Sequence, residues 1–115
     1  MRGFPAAYYL AGYAVESALK ACIAKRTRRH DFPDNKDAEA SYTHNLNALI
    51  KAAKLEEAHD LLWKTERAFR TNWESVEAWS EHVRYEFRDR AVAEELIKAV
   101  NERGNGILPW IKRYW

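Results

Sequence analysis

Pro5–Arg28, PAAYYLAGYAVESALKACIAKRTR, holds no helix breaker after its opening proline except Gly12. Proline suits a first helical turn, where its missing N–H would have no intrahelical partner. Ala7, Ala11, Ala14, Ala18 and Ala21 recur at steps of 4, 3, 4 and 3. Such a stripe of small side chains lets a second helix approach to the short end of the roughly 8–10 Å range. Tyr8, Gly12, Val15, Leu19 and Cys22 run beside it. The segment therefore predicts a helix apolar around much of its circumference, central in a bundle or at an interface. The five alanines are its candidate oligomer face.

Downstream, RHDFPDNKDAEAS from Arg29 to Ser41 is polar, contains Pro33 and reads as a surface loop. Thr43 is placed to cap a second helix carrying Leu46, Leu49, Ile50 and Ala53 at helical spacing. A third helix is expected over Glu56–Arg70, with a break near Leu55 and with Leu61, Leu62, Trp63 and Phe69 apolar. From Thr71 to Arg88 the apolar residues Trp73, Val76, Trp79, Val83, Tyr85 and Phe87 look scattered, as in a connector with a short helical turn. Asp89 is the candidate cap of a last helix. Val92, Leu96, Val100, Ile107, Trp110 and Tyr114 keep helical phase across Gly104 and Gly106, which favours one long helix kinked at Pro109. The alternative is a stop at Gly104 followed by a short separate helix. No segment alternates with period two, so the expected fold is an all-α, antiparallel, up-and-down bundle forming one domain over residues 1–115.

Composition narrows the function classes. The chain of 115 residues has one cysteine, Cys22, so no internal disulfide forms, which points to a reducing, cytoplasmic setting. The uncharged run from Phe4 to Val15 is well short of the ~20 apolar residues of a membrane span. Net charge is only +2, far from the balance of a dedicated DNA binder. It is uneven, however: residues 1–30 carry +5 and residues 31–40 carry −3.

Candidate chemistry is sparse. Glu56 and His59 have the Glu-x-x-His spacing of di-iron bundles, but no second such pair exists to complete a metal site. A single cysteine and the dispersed His30, His44, His59 and His82 exclude the usual zinc sites. Cys22, in an alanine-rich apolar helix, is expected to be packed and inert. No metal and no cofactor are expected. Lys25, Arg26, Arg28, Arg29 and His30 could contact phosphates of RNA or DNA, but the favoured reading is that cations collect at a helix C-terminus because the dipole favours them there. Glu16 and Lys20 stand four apart in the order that favours a helical ion pair. A carboxylate near the bundle interior needs a cationic partner, which Lys20 or Arg84 could supply. Arg84 and Tyr85 could brace the core or face a ligand.

The kernel Tyr-Leu-Ala-Gly-Tyr-Ala-x-Glu of Tyr9–Glu16, with Leu19-Lys20 following, resembles the signature helix of HEPN domains, small helical proteins associated with prokaryotic nucleotidyltransferases. Tyr42-x-His44-Asn45-Leu46 is similar to the family's His-x-Leu helix start, Arg84-Tyr85 to its Arg-Tyr element, and ILPWIKRYW to the close of its last helix. The resemblance implies a homodimer acting around RNA, nucleotides, nucleotidyltransferase-type proteins and toxin–antitoxin systems. It also implies a complete helix ahead of Pro5, so this chain is expected to lack the usual first helix and to cover its alanine face with a second copy or another partner. Ribonuclease members carry Arg, four to six residues, then His. That spacing is absent here, and with it the usual general acid or base. The expectation is a non-catalytic binding module. The rivals are a metal-independent endoribonuclease using His44 with Arg84 and Glu16, and a purely structural dimer.

Overall fold

A computed structural model describes residues 4–29, 44–82 and 90–115, with side chains over 6–26, 44–79 and 90–115. These residues form six helices: α1 (Phe4–Arg29), α2 (Leu46–Ala52), α3 (Glu56–Thr65), α4 (Arg67–His82), α5 (Arg90–Asn101) and α6 (Ile107–Ile111). No strand occurs among them, so the expected all-α bundle is what the chain adopts. No helix among the described residues is long and apolar enough to cross a membrane.

α1 is the spine. Tyr8, Val15, Ala18, Leu19, Cys22 and Ile23 are buried along it, and it packs against α2, α4, α5 and α6. The alanine stripe does not form one uniform outer face. Ala18 is inside the core, Ala7, Ala11 and Ala14 are half-buried at its margin, and only Ala21 is exposed. Part of the stripe thus serves the close approach of helices within this chain.

The cap of α2 is Asn45, whose side-chain oxygen accepts from Ala48 N–H at 3.1 Å. This replaces the expected Thr43, which lies outside the described residues. α2 ends in a Schellman motif: Lys54 N–H donates to Lys51 O at 3.1 Å and Leu55 N–H to Ile50 O at 3.0 Å. The motif places Lys54 at a φ of 61°, where a side chain is strained. Lys54→Gly is therefore expected to stabilise the protein by about 0.5–1 kcal/mol, read as a higher urea midpoint with an unchanged slope.

Two expected boundaries move. The stretch Glu56–Arg70 is not one helix: Glu66 is extended, ending α3 and starting α4. Arg70 holds the corner, donating from Nε at 2.9 Å and Nη2 at 2.7 Å to Trp63 O. A carbonyl that the helix end leaves without a partner is satisfied this way. The supposed connector is instead most of α4, which continues to His82. Phe69, Trp73, Val76 and Trp79, all buried, fall at steps of 4, 3 and 3 on one face; Val83, Tyr85 and Phe87, outside the described residues, had masked that period.

The last helix is likewise two. α5 ends at Asn101 and α6 begins at Ile107. A Cβ at Gly106 would sit 2.2 Å from Glu102 O, so the turn between them admits only glycine there. Asn72 on α4 fixes this turn by donating from Nδ2 to Asn105 O at 3.0 Å. Pro109 is the third residue of α6, where its missing N–H costs no ladder bond, so it fits a helix start and not a kink. The apolar phase survives the turn because Val100, Ile107, Trp110 and Ile111 all bury against the same core. Asp89 lies outside the described residues.

Candidate functional site

Tyr9, Tyr13, Glu16 and Lys20 stand at helical steps of 4, 3 and 4 along one side of α1. His44, two residues before α2, meets this stripe: its Nδ1 lies 2.6 Å from Glu16 Oε1. Glu16 Oε2 lies 3.7 Å from Lys20 Nζ. Glu16 is 1% exposed, the most deeply buried charged residue described, whereas 46% of the His44 side chain reaches solvent. A buried carboxylate must be compensated, and here an imidazole and an ammonium do so. Donation from Nδ1 fixes the orientation of the ring and leaves the neutral form's lone pair on Nε2.

An aromatic wall adjoins the pair. The Tyr9 and Tyr13 rings are 4.9 Å apart, and Trp79 of α4 meets them edge-on at 6.4 and 6.3 Å. Tyr13 in turn lies 6.4 Å from the His44 ring. Trp79 is buried with its Nε1 lacking a hydrogen-bond partner, while Tyr9 is 43% exposed. The ring of Trp79 lies directly over Gly12, which is why this position tolerates no side chain. Asn47 of α2 donates to Glu77 Oε2 of α4 at 2.8 Å and ties together the two helices that flank the cluster. The arrangement combines half-exposed rings, an oriented imidazole and one cation. It can stack a planar group and accept or donate hydrogen bonds beside it.

The other candidate residues are dispersed. Lys25 lies about 140° around α1 from Lys20 (five residues at roughly 100° each) and donates to Trp115 O at 3.2 Å. Arg26 is half-buried and donates from Nε to Ala52 O at 3.3 Å, at the end of α2. Arg28 and Arg29 occupy the last turn of α1, with side chains outside the described ones. Arg84 and Tyr85 also lie outside the described residues. Cys22 is buried, and that burial pushes its thiol pKa up against the opposing pull of Lys25, as expected of a packed, unreactive cysteine.

His59, weighed above only as a metal ligand, belongs to a second aromatic cluster. Trp73 meets its ring at 4.5 Å, Phe69 at 5.6 Å, Trp110 at 6.0 Å and Trp63 at 6.1 Å. Its Nε2 is buried without a partner. Glu56, which had suggested the metal spacing, is an exposed first-turn acid of α3. This cluster fastens α3, a helix with no fully buried residue, to α4 and α6.

The Glu16–Lys20 spacing extends to Tyr9 and Tyr13, which share the same helical side, and this is the sequence signal for the first cluster. Nothing in the sequence announced that Trp79 would close on Gly12, because that contact joins residues far apart in the chain. No protein-family model, curated protein or solved structure matches this chain.

Proposed function

We propose that the chain is a non-catalytic, HEPN-like binding module that takes a nucleotide or RNA at the Tyr9–Tyr13–His44 surface and self-associates through α1. The observation that carries this reading is the buried Glu16 holding a half-exposed His44 beside the exposed Tyr9. Single-stranded nucleic acids are bound by stacking unpaired bases on aromatic and imidazole rings, with cations at the phosphates. Lys20, partly exposed, supplies a cation next to the rings. For self-association, the outward side of α1 shows Ala6, Leu10, Ser17, Ala21 and Ala24, all exposed and none charged. The HEPN-like motifs add a nucleotidyltransferase-type protein as the partner class to seek.

His44→Ala is expected to weaken binding of a labelled oligoribonucleotide or nucleotide about tenfold, the worth of one stacked base. Titration by fluorescence anisotropy checks it; an unchanged affinity refutes the site. The Glu16–His44 hydrogen bond also favours a catalytic reading, since a carboxylate-oriented imidazole is the usual general acid or base. That endoribonuclease would cleave RNA in the presence of a chelator and lose cleavage in His44→Ala, whereas the binding module leaves the RNA intact. Failure of wild type to bind either probe would leave only the structural dimer.

A further inference from the structure

At the far end of α1, the last described residues fold back against the helix. Lys25 Nζ donates to Trp115 O at 3.2 Å, and Lys112 Nζ lies 5.4 Å from the centre of the Trp115 ring. Lys25, Lys112 and Arg113 are all exposed, and among the described residues no side-chain carboxylate pairs with any of them. Trp115 remains 48% exposed and Tyr114 39%. The backbone beneath is anchored, because Trp110 and Ile111 are buried and Tyr114 N–H donates to Ile111 O at 2.9 Å.

We propose that Trp115, with Lys112 against its ring, Lys25 at its backbone oxygen and the exposed Arg113 two residues before it, forms a second binding surface, for single-stranded nucleic acid. The indole takes an unpaired base and the three cations take the phosphates on either side. An indole face is available to any base but not to a base inside a duplex, which selects single strands. Lys112 lies against the ring and Lys25 against its backbone oxygen, a positive setting suited to a polyanion. The surface rests on the reading that the chain binds nucleic acid, yet it is separate from the His44 cluster. Lys25 and Lys20 lie on different sides of α1, so a mononucleotide at His44 does not reach it.

The test is anisotropy titration of the full chain with a labelled ten-residue oligouridylate, alongside calorimetric titration with uridine monophosphate. Three phosphate contacts make oligonucleotide affinity fall about twentyfold between 50 and 200 mM salt. Trp115→Ala weakens it about tenfold, and combined Lys25→Gln, Lys112→Gln and Arg113→Gln flattens the salt dependence. Neither change alters mononucleotide binding, and circular dichroism remains that of wild type because all four side chains are exposed. Oligonucleotide binding untouched by both sets of substitutions overturns this surface alone. Mononucleotide binding lost in Trp115→Ala overturns its separateness from the His44 cluster. Absence of binding by wild type to both probes overturns this surface and the proposed function together.

Discussion

Gly12→Ala will destabilise the protein by about 2–3 kcal/mol, a sign opposite to helix propensity. In an exposed helix interior the same change gains about 1 kcal/mol. Here the new Cβ would lie 2.0 Å from both Cδ2 and Cε2 of Trp79. These atoms are not the tip of a flexible chain. They belong to a rigid indole that is 1% exposed and flanked by Tyr9 and Tyr13. The indole has to move and push its neighbours off their rotamers, and overpacking of this kind costs typically 1–3 kcal/mol or more. Thermal unfolding should begin about 10 °C lower. Because the displaced ring forms the back of the Tyr9–Tyr13 wall, nucleotide binding should weaken in the same variant. A Gly12→Ala protein as stable as wild type would show that Trp79 does not press on α1, and would remove the wall from the site.

That glycine illustrates what the sequence could and could not disclose. α1 was legible because twenty-odd residues repeat one period. α2 was legible as well, from Leu46, Leu49 and Ile50, although Asn45 and not Thr43 caps it. α4 was hidden because its buried Phe69, Trp73, Val76 and Trp79 are interleaved with polar residues and then run on into further scattered aromatics. The end of α5 was misread for a more instructive reason. Continuity of apolar phase reports a shared core and not a continuous backbone, and a glycine turn tied down by Asn72 can reset direction while preserving burial. The site divides along the same line. Contacts within α1, such as Glu16 to Lys20, follow from spacing. Contacts that join distant segments, such as His44 to Glu16 and Lys25 to Trp115, depend on the packed fold and carry no local signature.

Trp73→Ala will destabilise the protein by about 3–5 kcal/mol, the usual cost of deleting a buried indole. Against a total of roughly 5–15 kcal/mol for an ordinary domain, this brings the protein close to unfolding. It also changes how stability responds to acid. Trp73 is the aromatic ring nearest to His59, and burial lowers the pKa of His59 while Asp60 and Glu77 pull it upward. Above about pH 6.5 the ring is neutral in both the folded and unfolded chain, and its contribution to stability is complete. As pH falls below that value the unfolded chain takes up a proton that the folded one refuses. Stability then drops by up to about 1.4 kcal/mol per pH unit, until the lowered pKa is reached and the contribution is lost. Removing the indole wets Nε2 and returns His59 toward its ordinary pKa, so Trp73→Ala is less stable throughout but less sensitive to acid. His59→Phe removes the same acid sensitivity at little cost near neutrality, since Phe fills the aromatic cluster without a titrating group. Urea midpoints at pH 7.5, 6.5 and 5.5 for the wild type and both variants decide the matter, with Trp73→Phe standing in should the alanine variant fail to fold. If His59→Phe loses stability with acid as steeply as wild type, the ring is not the group that α3 depends on.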